Sequence, residues 1–287
     1  MFEMKPTRLE ASCPELETRL LDLQQTARGW IAVTEKTQFH AENFRWPDQP
    51  GDRGSLRVKG QSYPIINCIL GAYNSAGELY LEHEIPVKVG SEGWVFVAAH
   101  LLECQPQVEI GQQVTLELDM AYLSRLSAAH TGCHLASLAL NRALREYWRK
   151  DPGARDALGE IDFDRLAITE SKIAELESLD RYRLGKSLRK KGFNSADALE
   201  QLPEITARIN QQLNGWQAAE AKVWMEHAGE GLLDSRYWHC QLEGEPKAVI
   251  PCGGTHLRSL SEIKAMEVKL VAEESGFRME TQVVTVS

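Results

Sequence analysis

No stretch of the 287-residue sequence approaches the roughly 20 consecutive apolar residues that a membrane-spanning helix needs. The opening MFEMKPTRLEASCPELETR carries charges where a signal peptide would place an apolar run, so a cytoplasmic protein with no membrane partner is expected. Positive charge is in short supply, with 32 Lys and Arg against 41 Asp and Glu and a formal net charge of −9. Such a body repels nucleic acid and anionic lipid as a whole, so any nucleic-acid contact has to be local. The six cysteines (Cys13, Cys68, Cys104, Cys133, Cys240, Cys252) lack the short, even spacing of a disulfide scaffold, which points to buried thiols or a metal ligand. Internal repeats and low-complexity tracts are missing. So is a Gly-rich phosphate loop, and no use of ATP is expected.

What is present reads as an α+β protein. From about Leu16 to Asp119, short apolar runs (WIAV, LRVKG, YPIINCILGAY, ELYLEHEI, GWVFVAAHLL, QVTLELD) alternate with Gly, Pro, Asn and Asp. Strands that short suggest a small barrel or sandwich, since an open sheet would leave edges to protect. Leu126 to Trp148 has no Pro, one Gly and many helix formers, and predicts a helix buried on more than one side. Asp151-Pro152-Gly153 breaks the chain. Beyond it, Ile168 to Leu184 reads as an amphipathic helix, and Ser195 to Trp216 and Gln217 to His227 as surface helices. Strands return after Ser235, with a helix-like SLSEIKAM and a closing hairpin that turns at Gly276. The expected division is a β domain at 1–122 and an α+β domain at 123–287, the latter carrying a helical insertion at about 150–227.

His130-Thr-Gly-Cys-His134 lies inside the expected helix, where a spacing of four puts both imidazoles on one face, one turn apart. Two such histidines form either a polar stripe or half of a metal site. Cys252-Gly-Gly-Thr-His256 adds a thiolate and an imidazole around two glycines that allow a tight turn. One Cys and three His make a plausible zinc set, and the alternative is a Gly-Gly turn beside a buried Cys252. A zinc protease would need Glu directly after the first His, where Thr131 stands. Cys133, on another helical face, reads as a structural thiol. In RYRLGKSLRKKGF, the six cations Arg181, Arg183, Lys186, Arg189, Lys190 and Lys191 occur with no acid among them. They form either a solvated helix face or a place where RNA docks.

HTGCHL, followed by CGGTH and by Glu262-Ile263, resembles the editing domain of alanyl-tRNA synthetase and its free-standing relatives, the AlaX-type trans-editing proteins. Thr37-Gln-Phe39-His40-Ala-Glu42-Asn is similar to that family's Thr-x-Phe-Tyr-x-Glu-Ser, and Gln49-Pro50-Gly51-Asp52-Arg53-Gly54 to its Gln-x-x-Asp-x-Gly. Gly111 to Val114 and Asp119 fall where the family enters its metal helix, while 150–227 is the least similar segment. The resemblance implies a small N-terminal barrel, an α+β editing domain, and zinc held by His130, His134, Cys252 and His256. It implies Thr37, His40 and Gln49 as cleft residues, His40 standing at a family aromatic. The implied reaction is hydrolysis of a mischarged aminoacyl-tRNA, typically seryl or glycyl on tRNA(Ala), with that tRNA as partner. The alternatives are a zinc hydrolase of a small amino-acid ester or thioester and a non-catalytic tRNA-binding protein with structural zinc. The sequence departs from the pattern where glycines should precede Gln49, because Phe44-Arg45-Trp46-Pro47-Asp48 stands there. Arg45 facing phosphate and Trp46 stacking on the terminal adenine would bind tRNA there. The alternative is a loop covering part of the barrel.

Overall fold

The computed structural model describes residues 4–10, 13–42 and 47–286. Its chain divides into two compact units, one of residues 1–123 and 227–235, the other of 124–226 and 236–287. No described helix is long and apolar enough to cross a membrane.

The first unit is built on one antiparallel sheet. Its order is Gly54–Val58, Gln113–Leu118, Glu15–Thr26, Gly29–Thr34, Val95–Leu102, Gln61–Tyr73, Leu79–Leu81. Gly54–Val58 also pairs with Gln61–Tyr73, so the ladder returns on itself through six strands. Lys59 and Gly60 join those two strands with φ of 50° and 79°, the left-handed pair that a two-residue hairpin turn matching strand twist requires. Alternation along Val95–Leu102 sends Phe96, Ala98 and Leu102 into one apolar cluster and Val97, Ala99 and Leu101 into another, so the strand is buried on both faces.

The helix Met120–Ala143 opens in the first unit and runs into the second. Asp119 caps it, its carboxylate accepting the Tyr122 N–H at 2.9 Å. Leu135, Leu138, Leu140 and Leu144 are buried in the core of the second unit, as expected of a helix covered on several sides. A Cβ on Gly132 would sit 2.6 Å from Val283 Cγ2. Glycine is thus what lets the helix lie close on the four-stranded antiparallel sheet of this unit, ordered Ile168–Ala174, Glu177–Arg183, Gly276–Thr285, Ile263–Glu273.

Three expected helical segments are corrected. Residues 168–184 form a hairpin, Ile168–Ala174 against Glu177–Arg183. Ser178, Asp180 and Tyr182 point inward along it, so its alternation is carried largely by polar residues and escapes a hydrophobicity pattern. Its turn uses Leu176 at φ 64°, with no Gly or Asn to mark it. Residues 217–227 end the helix Leu202–Ala218 and then form the strand Val223–His227 of a three-stranded sheet with Arg236–Cys240 and Ala248–Pro251. The segment 150–227 is therefore mixed, its helices being mainly Ser195–Glu200 and Leu202–Ala218. SLSEIKAM is helical only in a short 3-10 turn, Leu260–Glu262, and its last four residues already belong to the strand Ile263–Glu273. Asn210, on Leu202–Ala218, donates to Val268 O and accepts from Val268 N, both at 2.8 Å. A side-chain amide thus completes the backbone of the edge strand.

Candidate metal centre

The long helix carries His130 and His134 one turn apart, with ring centroids 4.9 Å from each other. The loop after Ala248–Pro251 brings His256 to 4.3 Å from the first ring and 4.9 Å from the second. Cys252 Sγ stands 3.4 Å from His130 Nε2 and 3.3 Å from His256 Nε2. One donor atom from each of the four residues lies within 4.8 Å of all the others. A tetrahedral ion with ordinary Zn–N and Zn–S lengths spaces its ligands about 3.3–3.6 Å apart. His134 Nε2 is buried and has no hydrogen-bond partner among the described residues. A buried ring nitrogen without a partner is costly, and a bound cation would relieve it. Burial pushes His134 down to about 4, so its imidazole is neutral at pH 7, the form that ligates. The group could hold a metal ion and is compatible with zinc.

The surroundings aim these donors. Cys252 N–H donates to Arg236 O at 3.0 Å, and Gly254 N–H donates to Cys252 Sγ at 3.4 Å. Arg258 and Ser259 N–H both donate to Glu262 Oε1, at 2.8 and 3.0 Å, fixing the exit of the loop. Thr131, fully buried, sits with its hydroxyl 3.2 Å from His256 Nδ1 and accepts the Leu257 N–H at 3.2 Å. Trp238, also fully buried, packs its ring 5.0 Å from His134 and 5.9 Å from His256. Arg236, two residues before Trp238, shares its strand face. Burial lowers the Arg236 pKa and the neighbouring Cys252 opposes that shift. Sequence reasoning gave Thr131 and Trp238 no part here and passed over Arg236. Only the position of Thr131 three residues before His134 and the alternation of 236 with 238 hint at them. Cys133 Sγ turns instead to the Asp180 carboxylate, 3.5 Å from its nearer oxygen.

Thr37, His40 and Gln49 belong to the first unit and are all buried. The Thr37 hydroxyl accepts the Phe39 N–H at 3.0 Å and lies 2.9 Å from His100 Nε2. His100 Nδ1 lies 3.1 Å from Ala32 O, so Nδ1 carries the proton and Thr37 donates to Nε2. Asp52 brackets His40, its carboxylate accepting the His40 N–H at 2.7 Å and its own N–H donating to His40 O at 3.0 Å. Burial raises Asp52 to about 7 and Asp48 to about 6. A Cβ on Gly51 would strike Cys68 O and one on Gly54 would strike Glu117 O, so both glycines allow close backbone approach. Arg45 and Trp46 lie outside the described residues. Of the basic stretch, Arg181 is paired with Glu170 at 3.3 Å and Glu273 at 3.7 Å. Arg183, Lys186 and Arg189 are exposed and line one cavity, and Lys190 and Lys191 are exposed beside it.

No protein-family model matches the chain. It is 26% identical over 239 residues to the alanine–tRNA ligase of Sulfurisphaera tokodaii, covering 82% of this chain and 21% of the ligase. With the alanine–tRNA ligase of Pyrobaculum neutrophilum it shares 26% over 247 residues, 85% of this chain and 23% of the ligase. With the alanyl-tRNA editing protein AlaX-M of Pyrococcus horikoshii it shares 26% over 164 residues, 57% of this chain and 58% of that protein. The chain thus spans about a fifth of the ligases it matches.

Proposed function

We propose that this homologue of alanine–tRNA ligases and of alanyl-tRNA editing proteins acts in trans, hydrolysing the ester of a mischarged aminoacyl-tRNA with zinc held by His130, His134, Cys252 and His256. The observation that supports it best is the convergence of those four donors within 4.8 Å of one another, with Cys252 Sγ at 3.4 and 3.3 Å from two of the ring nitrogens. The substrate we infer is seryl- or glycyl-tRNA(Ala), in the cytoplasm, and we assign the ring of strands to the small barrel of this family.

An aminoacyl ester is already activated, so a deacylase has chiefly to hold the amino acid and terminal ribose in register with a water. Zinc bound here would supply positive charge for anchoring the amino acid or polarising that water. Four protein donors would close a tetrahedral shell, so either role would need a fifth position or a loosely held donor. The chain's own groups do the rest. Thr131 keeps His256 in one orientation, Trp238 closes the side against His134, and Arg236 lowers the cost of negative charge at Cys252. Thr37, His40 and Gln49 are proposed as the substrate-contacting residues of the first unit.

The test is single-turnover deacylation of seryl-, glycyl- and alanyl-tRNA(Ala) by the zinc-loaded protein, with Cys252→Ala beside it. Rapid loss of the seryl or glycyl ester, with alanyl spared and the variant inactive, is the expected result. A folded, zinc-loaded protein that hydrolyses none of them overturns the deacylase and leaves a structural ion. Activity on small amino-acid esters alone overturns the tRNA substrate.

A further inference from the structure

Four cations of the second unit gather at a cavity that none of the four donors lines. Arg149, Arg183, Lys186 and Arg189 line a cavity of about 870 Å³ framed by the turn at Glu274–Gly276 and the loop at 192–195. Backbone bonds hold its rim. Arg149 N–H donates to Gly192 O at 2.8 Å, and Leu184 N–H to Ser275 O at 2.9 Å.

None of these four side chains forms an ion pair or side-chain hydrogen bond among the described residues. Elsewhere in the unit most of the arginines are paired with acids. Arg142 pairs with Glu245 and Glu160, Arg181 with Glu170, Arg208 with Glu146 and Arg278 with Glu280. In a chain of net charge −9, acids are plentiful, yet only Glu274 lines this cavity. Gathering like charges costs energy, and an anion that enters recovers it.

The cavity is far larger than one phosphate and lies in the range that holds nucleotide-sized ligands. Part of its wall is apolar, from Leu184 and the exposed Leu199, which suits a ribose or base beside a phosphate. Lys190 and Lys191 carry the positive strip past the cavity. A free nucleotide would leave that extension idle, whereas a polymer would follow it.

We propose that this cavity seats one nucleotide of an RNA strand, its phosphate held by Arg149, Arg183, Lys186 and Arg189, with the next phosphates along Lys190 and Lys191. It rests on the aminoacyl-tRNA reading and names the part of the chain that grips the RNA. Arg149 is a member that the basic stretch alone does not reveal.

The experiment measures the affinity of the zinc-loaded full chain for uncharged tRNA(Ala) across a salt series, comparing wild type, the pair Arg149→Gln with Arg189→Gln, and Lys269→Gln as an exposed control. Each lost phosphate contact lowers the logarithmic salt slope by about 0.7–0.9. The double variant should therefore bind about tenfold or more weakly with a slope shallower by about 1.5, while zinc content and circular dichroism stay unchanged and Lys269→Gln matches wild type. Wild-type binding with an unchanged double variant overturns the cavity and spares the tRNA reading. Failure of wild type to bind any tRNA overturns both. Displacement of tRNA by stoichiometric ADP would mark a free-nucleotide site and overturn the RNA assignment.

Discussion

Thr131 and His256, 125 positions apart in sequence, meet hydroxyl to imidazole at 3.2 Å, and the same hydroxyl takes the N–H of Leu257. One short side chain on the helix therefore sets both the ring orientation of the last donor and the path of the loop that carries it. With Nδ1 of His256 protonated and given to Thr131, Nε2 is the lone pair turned toward Cys252.

Thr131→Val keeps the shape and removes the acceptor. Zinc affinity, measured by competition with a chromophoric chelator, should fall about 10- to 100-fold with the fold retained, as when other partners of metal-bound histidines are lost. Thr131→Ser should restore most of it. Equal affinity in Thr131→Val and wild type would show that the contact does not hold the ring.

Gly132→Ala sets two effects against each other. Alanine favours the helix by about 1 kcal/mol over glycine. The added methyl, however, would meet Val283 Cγ2 at 2.6 Å in a packed core, and overpacking costs about 1–3 kcal/mol. The clash should win and lower the thermal midpoint, and Val283→Ala in the same chain should recover much of the loss. A stabilised Gly132→Ala would mean the helix can move off the sheet cheaply.

Asp52 gives stability a pH dependence of definite sign. Burial raises its carboxyl to about 7, whereas the unfolded chain loses this proton near pH 4. Between those values the folded state holds one more proton. The contribution of Asp52 is thus fully present below about pH 4 and is lost as pH rises toward 7, by up to about 1.4 kcal/mol per pH unit. Asp52→Asn keeps an oxygen for the His40 N–H and removes the titration. Urea midpoints at pH 5 and pH 7.5 should show the variant gaining on wild type at the higher pH, and parallel midpoints would count against the assignment.

The four candidate ligands were legible because each pair is local. Two histidines one turn apart and a Cys and His around two glycines need only a helix and a turn to present their donors, and the structure brings the two pairs together. The strands of the first unit were legible for the same reason, since their apolar runs end at real turn residues. The hairpin at 168–183 was hidden because Ser178 and Asp180 occupy inward positions and Leu176 makes the turn. Thr131, Arg236 and Trp238 acquire their roles from partners that the fold supplies. Arg181 and Arg189, alike in the basic stretch, part company only when Glu170 and Glu273 come up beside the first.

The amide of Asn210 has a further consequence. A sheet of four strands has two open sides, and each is a template on which another chain could polymerise. On the side of Ile263–Glu273, Asn210 occupies the hydrogen-bonding positions of Val268. On the side of Ile168–Ala174, the charged pair Glu170 and Lys172, 2.9 Å apart, lies along the outer strand. The sheet is thus bordered by the side-chain amides of Asn210 and Gln217 on one side and by charge on the other, two unlike safeguards against growth into a fibre.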